Sequence, residues 1–150
     1  MQPIADEFLP WLQQAIPLTE HMGIRKLEWR DEVLVFKLEL APLVNDKGTG
    51  FGGGVAGLAT LLGWCYVTLL LDEHAKRCPV VVKESSNAFL APITGDFEMH
   101  CRCQQSGGWQ QFLQDFARKG RARLQLDIQA VQQQTAFTYT GTYVALGHTG

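Results

Sequence analysis

The sequence predicts an α+β fold in which an antiparallel sheet wraps around one long apolar central helix. The segment from Phe51 to Leu71 carries no charged residue and is long enough for about six helical turns. On both sides of it, apolar and polar residues alternate as they do in half-buried strands, for example over Val33–Leu40 and Ala122–Val131. A helix that is apolar on every side is stable only when other elements enclose it, so we expect the strands to surround this one.

The composition is that of a globular protein. Of the 150 residues, 46% are hydrophobic and 19% are charged, and we expect residues 1–150 to form one domain with one core. The formal net charge of −2 gives no global attraction to nucleic acid or to an anionic membrane, so neither is expected as a partner. The first seven residues lack the basic and apolar regions of a signal peptide, which makes the cytoplasm the expected location.

The elements that flank the central segment follow from the same periodicities. Helical spacing of apolar residues around Phe8–Ile16 predicts a short first helix, and the composition of residues 45–50 predicts a loop. A further helix is predicted over Trp109–Phe116. The predicted strands are Ile24–Trp29, Val33–Leu40, Val80–Ala91, Asp96–Cys103, Ala122–Val131 and Ala136–Leu146.

The central segment has an alternative interpretation as a membrane span. Its length suffices to cross a bilayer, and Gly53 and Gly57 form a GxxxG pair. However, its start is rich in glycine, and its flanks lack both an aromatic belt and a one-sided excess of Lys and Arg. The alternating strands that follow also need an element to pack on, so we expect a core helix and no membrane span.

Two of the four cysteines lie in an alternating run, Phe97–Cys103. In a strand this pattern turns Cys101 and Cys103 inward and sends His100 and Arg102 outward. A zinc site would need the imidazole and the thiols on the same side. We therefore interpret the thiols as small buried hydrophobic groups and predict no metal site.

A glycine-rich loop leads into the central helix and carries the most specific motif of the chain. A helix N-terminus presents N–H groups without partners and the positive end of the helix dipole, and glycine lets a ligand approach the backbone closely. Such a loop can bind an oxygen that becomes negatively charged during a reaction. The motif consists of Asn45, Gly48, Thr49, Phe51, Gly52 and Gly53.

This loop and the order of elements resemble the hotdog thioesterase superfamily, whose PaaI-like and acyl-CoA thioesterase members carry the pattern Asn-x-x-Gly-Thr-x-His-Gly-Gly. The chain is also similar to a bacterial thioesterase branch, the C-terminal domain of YiiD. The resemblance implies a homodimer, or a dimer of dimers, that hydrolyses thioesters of coenzyme A or of acyl-carrier protein at the subunit interface. Coenzyme A would then be part of the substrate, with no separate cofactor. Further matching positions are Gly63, Trp64, Phe89, Pro92, Arg118, Lys119, Gly120, Arg121 and Tyr143–Leu146.

The resemblance assigns roles to individual residues of this motif. The backbone N–H of Gly52 would stabilise the oxyanion that forms from the thioester carbonyl, and the amide of Asn45 would polarise that carbonyl or orient a water molecule. Phe51, Gly53, Phe89 and Pro92 are expected among the residues that contact substrate. The alternative for Asn45 is purely structural, because Asn side chains commonly stabilise turns.

Two positions depart from the family pattern. Phe51 replaces its histidine, and Thr60 stands where members carry a helix carboxylate that acts as base or nucleophile. Because a threonine hydroxyl is no general base near neutral pH, either Glu84 on the following strand or a water molecule held by Thr60 is expected to supply the nucleophile. Asp46 in the loop is a weaker candidate. Glu84 has the alternative of being an ordinary solvated charge.

The basic turn, defined as Arg118, Lys119, Gly120 and Arg121, is expected from the resemblance to bind the phosphates of coenzyme A. A solvated basic turn is the alternative. Two other functions compete with thioester hydrolysis. A hotdog hydratase or dehydratase would need an Asp/His pair that the loop lacks, whereas a non-catalytic acyl-binding domain would explain the missing helix carboxylate.

Overall fold

A computed structural model of the chain describes residues 1–147, and every helix and strand predicted above is present there with ends that differ by a few residues. Two short 3₁₀ helices also occur, at Pro17–His21 and Ala41–Leu43. The α-helices are α1 (Phe8–Ala15), α2 (Gly52–Glu73) and α3 (Gly108–Lys119). The strands are β1 (Ile24–Arg30), β2 (Val33–Leu38), β3 (Val80–Phe89), β4 (Phe97–Cys103), β5 (Arg121–Val131) and β6 (Thr135–Leu146).

The six strands form one antiparallel sheet in the order β1-β2-β4-β5-β6-β3, with α2 packed on one face. Residues that alternate along each strand point toward α2 and build the core. In β5 the inward set includes Leu124, Leu126 and Ile128, all buried. The predicted α+β architecture, with a sheet around one apolar helix, is therefore confirmed.

The central helix α2 is a core element of this fold. It is long and apolar enough to cross a membrane by length and composition alone, but 67% of its most apolar 18-residue window is buried inside the protein. Its buried residues contact β2, β3, β4, β5 and β6, so the sheet encloses it along most of its length. The apolar character of all its sides is explained by this enclosure.

The predicted direction of the cysteine-containing strand is also confirmed. Cys101 is fully buried next to α2, while Arg102 is exposed and His100 is bonded to Glu98 on the outer face. Burial raises the pKa of both Cys65 and Cys101, so these thiols stay protonated and are poor nucleophiles.

The two edges of the sheet differ in character. The β1 edge carries exposed charges, including Arg25 and Lys26, which discourage pairing with another strand. On the β3 edge, residues 81–90 are all exposed, although β3 is ten residues long and bonded to β6 alone. Val81, Val82 and Phe89 are exposed apolar side chains near its two ends, and the residues between them, Lys83 to Asn87, are polar and exposed. A long edge whose backbone N–H and C=O groups lack partners is a template for pairing with another strand.

Candidate functional site

The loop before α2 is held by the side chain of Asn45. Its Oδ1 accepts hydrogen bonds from the backbone N–H groups of Lys47 (2.9 Å) and Thr49 (3.1 Å). Its Nδ2 donates to the Thr49 hydroxyl (3.0 Å) and to the Gly50 carbonyl (3.4 Å). Both ends of the amide are thus engaged inside the loop, which is the geometry of a turn-stabilising Asn. A direct contact of Asn45 with substrate stays a prediction.

Helix α2 begins at Gly52 directly after this loop. Its first i→i−4 hydrogen bond runs from the Val55 N–H to the Phe51 carbonyl (3.0 Å), so the N–H groups of Gly52 and Gly53 have no partner within the helix. The Phe89 ring packs on Gly52 so closely that a methyl group there would lie 3.2 Å from it. The glycine therefore lets β3 approach the helix N-terminus, and this end of the helix lies beside the exposed edge strand.

An apolar groove of about 280 Å³ runs along α2 beyond this point. Its volume lies near the lower end of the range for small-molecule sites. Its walls come from the first 3₁₀ helix and the residues that flank it, from α2, and from the paired strands β3 and β6. The groove residues are Ile16, Leu18, Thr19, Met22, Gly57, Thr60, Leu61, Trp64, Val82 and Tyr143.

Three hydroxyl groups line this apolar groove, and each donates its proton to a backbone carbonyl. Thr19 donates to Ile16 (2.7 Å), Thr60 to Ala56 (3.0 Å), and Tyr143 to the carbonyl of Thr60 (2.8 Å). Burial, and next the hydrogen bond with Tyr139, raise the pKa of Tyr143, so its phenol stays protonated. The groove therefore offers lone pairs but no free hydroxyl proton.

Glu84 does not face this groove. A bulge in β3 between Val82 and Glu84 shifts the register, so that Val82 pairs with Tyr143 while Glu84 pairs with Thr142. Cross-strand partners point to the same face of a sheet, and Tyr143 faces α2. The register therefore directs Glu84 to the opposite face of the sheet, away from Thr60 of the same chain. Its predicted role as base has no support from this geometry and stays a prediction.

The same bulge brings two other polar residues to the helix side. Ser85 pairs with Gly141 and Asn87 with Tyr139, both of which lie on the face toward α2. Ser85 and Asn87 are exposed. They lie between Val82 and Phe89, and the Phe89 end of β3 packs on the start of α2. Their position could not be predicted from the sequence, because alternation counted from Val80 assigns them to the wrong face and no residue type marks a bulge.

The basic turn lies at the other end of the sheet. Gly120 ends α3 with a left-handed backbone (φ 74°), and Arg118, Lys119 and Arg121 around it are exposed. Arg118 also contacts Asp115 at 3.1 Å. Arg121 and Ala130 are nine residues apart along β5. Ala130 pairs with Phe137 of β6, which in turn pairs with Phe89 of β3, the residue that packs on the start of α2. The turn is therefore roughly 30 Å from the start of α2 in the same chain.

The remaining predicted contact residues cluster near the helix start. The Phe51 ring is 56% exposed and lies against Gly53, where a methyl group would approach it to 2.9 Å. Pro92 is exposed just beyond the end of β3. The structure thus brings Asn45, Gly52 and Phe89 together with these residues, with Thr60 further along the helix.

This combination of fold and loop matches a known family. The family model described as "Putative thioesterase (yiiD_Cterm)" matches residues 5–147. The chain belongs to this thioesterase family. Its sheet around α2 is the hotdog fold of the wider superfamily, as the sequence resemblance predicted.

Solved structures agree with membership of the thioesterase family. A protein of unknown function from Chlorobaculum tepidum is 25% identical, with a TM-score of 0.84 over 93% of this chain and 91% of that one. A structure from Shewanella oneidensis, also described as a putative thioesterase, is 27% identical, with a TM-score of 0.78 over 95% and 99%. A thioesterase from Haemophilus influenzae, 17% identical with a TM-score of 0.71 over 97% and 93%, shares the fold.

Proposed function

We propose that the protein hydrolyses acyl thioesters of coenzyme A or acyl-carrier protein, at a site that a second copy of the chain completes. The observation that carries this proposal is the juxtaposition of a glycine helix N-terminus with an apolar groove along the same helix. The first can bind the thioester oxygen, and the second can bind the acyl chain. Membership of the thioesterase family supports the reaction class.

The N–H groups of Gly52 and Gly53 would stabilise the reaction's oxyanion. In hydrolysis, water attacks the carbonyl carbon, the C–S bond breaks, and the products are a carboxylic acid and a free thiol. The negative charge that develops on the carbonyl oxygen would be met by helix N-terminal N–H groups that have no partner in the helix. Such preorganised donors contribute most where water is excluded, and the rings of Phe51 and Phe89 flank this position.

Thr60 would orient the attacking water in this scheme, and it would do so across the subunit interface. Thr60 lies eight residues, about 12 Å of helix, beyond Gly52 of its own chain, so its water would attack a carbonyl that is bound at the helix start of the other copy. Its hydroxyl donates to Ala56 and so presents its lone pairs to a water molecule in the groove. The hydroxyl itself is not a base near neutral pH. The sequence predicts Glu84 as the carboxylate that takes the proton from the attacking water, although the β3 register directs Glu84 to the opposite face of the sheet. We therefore give Thr60 the positioning role and treat Glu84 as the assignment to be tested.

The second copy would pair along β3. Two β3 edges, joined antiparallel about a two-fold axis, would extend the sheet across both chains and cover Val81 and Val82. The charged β1 edge is less suited to this. Two such dimers could associate further into a dimer of dimers.

The same pairing would unite the two ends of the site. If the β3 strands pair about their midpoints, the Val80 end of one chain lies beside the Phe89 end of the other. The basic turn of one chain would then be three strand spacings, roughly 14 Å, from the partner strand that covers the helix start. Within one chain that separation is about 30 Å. Arg118 and Arg121 could thus bind the phosphates of a coenzyme A ester whose acyl group lies in the other chain's groove.

Non-catalytic acyl binding is the second candidate function. It is favoured by one observation, that no carboxylate is among the residues lining the groove in the described part of the chain. Release of free thiol from a panel of acyl-coenzyme A esters separates the two. Thioester hydrolysis predicts saturable release that a Gly52→Val variant loses, because an added side chain would collide with Phe89 at the helix start. Saturable binding of the same esters without thiol release would support the binding function instead.

A further inference from the structure

Trp64 is the last residue of α2 that lines the apolar groove. Along α2 the groove extends from Gly57 to Trp64, which is about 10 Å of helix. Trp64 is half-buried at this end, and its indole N–H donates to the Val80 carbonyl at 3.1 Å. This hydrogen bond fixes the orientation of the ring.

Two further side chains, neither of which lines the groove, brace Trp64. The ring of Trp11 in α1 stacks on Trp64 with a centroid distance of 6.1 Å and an interplanar angle of 16°. The guanidinium of Arg77 lies 4.1 Å from the Trp11 ring and also contacts Asp72 at 3.3 Å. A cation over an indole face is an attractive arrangement, so the three side chains form a layered stack. Trp64 therefore cannot move aside as freely as a single exposed ring could.

We propose that Trp64 is the end wall that limits the length of the acyl chain, and that Trp11 and Arg77 are positioning residues for it. This inference rests on the proposed function, because the groove must take the acyl group. Twelve residues, or about 18 Å of helix, separate Gly52, whose N–H would bind the thioester oxygen, from Trp64. With C–C bonds of about 1.5 Å at tetrahedral angles, an extended chain advances about 1.25 Å per carbon, so this stretch accommodates about fourteen carbons. The substrate class is accordingly long-chain acyl thioesters.

The groove also selects for an unsubstituted chain. Its three hydroxyls, those of Thr19, Thr60 and Tyr143, all donate to backbone carbonyls, and the rest of its lining is apolar. A keto group on the acyl chain, which is an acceptor alone, would lose its hydration there and find no hydroxyl donor in return. Straight saturated chains are therefore the preferred occupants over ketoacyl chains of equal length.

Chain-length profiles of Trp64→Ala and the wild type test this inference. For the wild type, kcat/KM should rise by about fourfold per methylene and then stop rising once the chain reaches the wall. In Trp64→Ala the rise should continue to longer chains, and Trp64→Phe should give an intermediate limit. Trp29→Phe, which alters an indole packed on Tyr66 outside the groove, should keep the wild-type profile. An unchanged limit in Trp64→Ala would overturn the proposal.

A binding experiment separates failure of this inference from failure of the proposed function. Alkyl-coenzyme A thioethers of graded length cannot be hydrolysed, and their affinities report the groove alone. A length limit that moves in Trp64→Ala would support the end wall even if the wild type released no thiol. Should Trp64→Ala fail to fold, Arg77→Gln, an exposed substitution that removes the brace together with the Asp72 contact, should weaken the length limit. Thioethers that do not bind, or that bind with no length limit, would contradict the inference.

Discussion

The hydroxyl of Tyr143 donates a hydrogen bond to the backbone carbonyl of Thr60 across 2.8 Å, and so joins the last strand to the helix at the candidate site. The hydroxyl of Tyr139 lies 2.9 Å from that of Tyr143 and completes a short chain of hydrogen bonds. Gly63 makes the approach possible, since a methyl group there would lie 2.3 Å from the Tyr143 ring. The position of Thr60 relative to the groove therefore depends on this contact.

We expect Gly63→Ala to destabilise the protein by about 1–3 kcal/mol, despite the better helix propensity of alanine, because Tyr143 is fully buried and has no room to move. Gly57→Ala is the matched control. Its nearest neighbour would be the Met22 side chain at 3.5 Å, so it should be neutral or stabilising by up to about 1 kcal/mol. Denaturant unfolding of both variants measures the difference, and equal effects would mean that the Tyr143 contact imposes no constraint.

We expect Thr60→Val to lower kcat more than Glu84→Gln does. Thr60 lines the groove and can orient water, whereas the β3 register directs Glu84 to the other face. A general base typically contributes 10²–10⁴-fold, and Glu84→Gln should cost much less than about 10²-fold. Thr60→Ser, which keeps the hydroxyl, should retain most activity. A loss of 10²-fold or more in Glu84→Gln, with Thr60→Val nearly unaffected, would assign the base to Glu84.

Asn45→Ala should lower stability by about 1–2 kcal/mol, since two backbone N–H groups of the loop lose their acceptor. Asn45→Asp keeps that acceptor but replaces the Nδ2 donor with a second oxygen and adds a negative charge, so it should recover only part of this stability. Thiol release per folded molecule should change little in Asn45→Ala. A fall of about 10²–10³ in the kcat of Asn45→Ala would instead mean that the amide contacts the thioester oxygen in the complex.

Removing the basic turn should affect coenzyme A esters selectively. We expect Arg118→Ala combined with Arg121→Ala to lower kcat/KM for coenzyme A esters by about tenfold, as two exposed ion contacts of about 0.5–1 kcal/mol each would predict. Pantetheine esters, which lack the nucleotide phosphates, should be little affected. Lys37→Ala with Arg102→Ala removes the same charge from the outer face and should leave both ester types alone. Equal losses for both esters in the basic-turn variant would exclude phosphate binding there.

Much of this fold could be predicted because its signals are local. The length of α2, the inward direction of Cys101 and the loop at Asn45 follow from periodicity and composition within short stretches. The bulge between Val82 and Glu84 could not be predicted, because it adds one residue to a strand without a characteristic sequence, and it reverses the face of each residue after it.

The stacking of Trp11 on Trp64 at the end of the groove could not be predicted from the sequence either. Trp11 and Trp64 belong to different helices, and no periodicity connects residues so far apart along the chain. Their stacking arises from how α1 folds back over α2, and the position of Arg77 depends on the turn after α2. Tertiary contacts of this kind decide what a groove can hold, whereas the family pattern decides only where the groove lies.

Thiol release per chain, measured over a dilution series together with sedimentation, tests the central claim most directly. If a second copy completes the site across β3, activity per chain should fall in proportion to the dimer fraction. Val81→Lys adds a charge to the exposed β3 edge outside the groove. It should shift the curve of activity per chain and the curve of dimer fraction together to higher protein concentration. A monomer that releases thiol as fast per chain as the dimer would contradict the account.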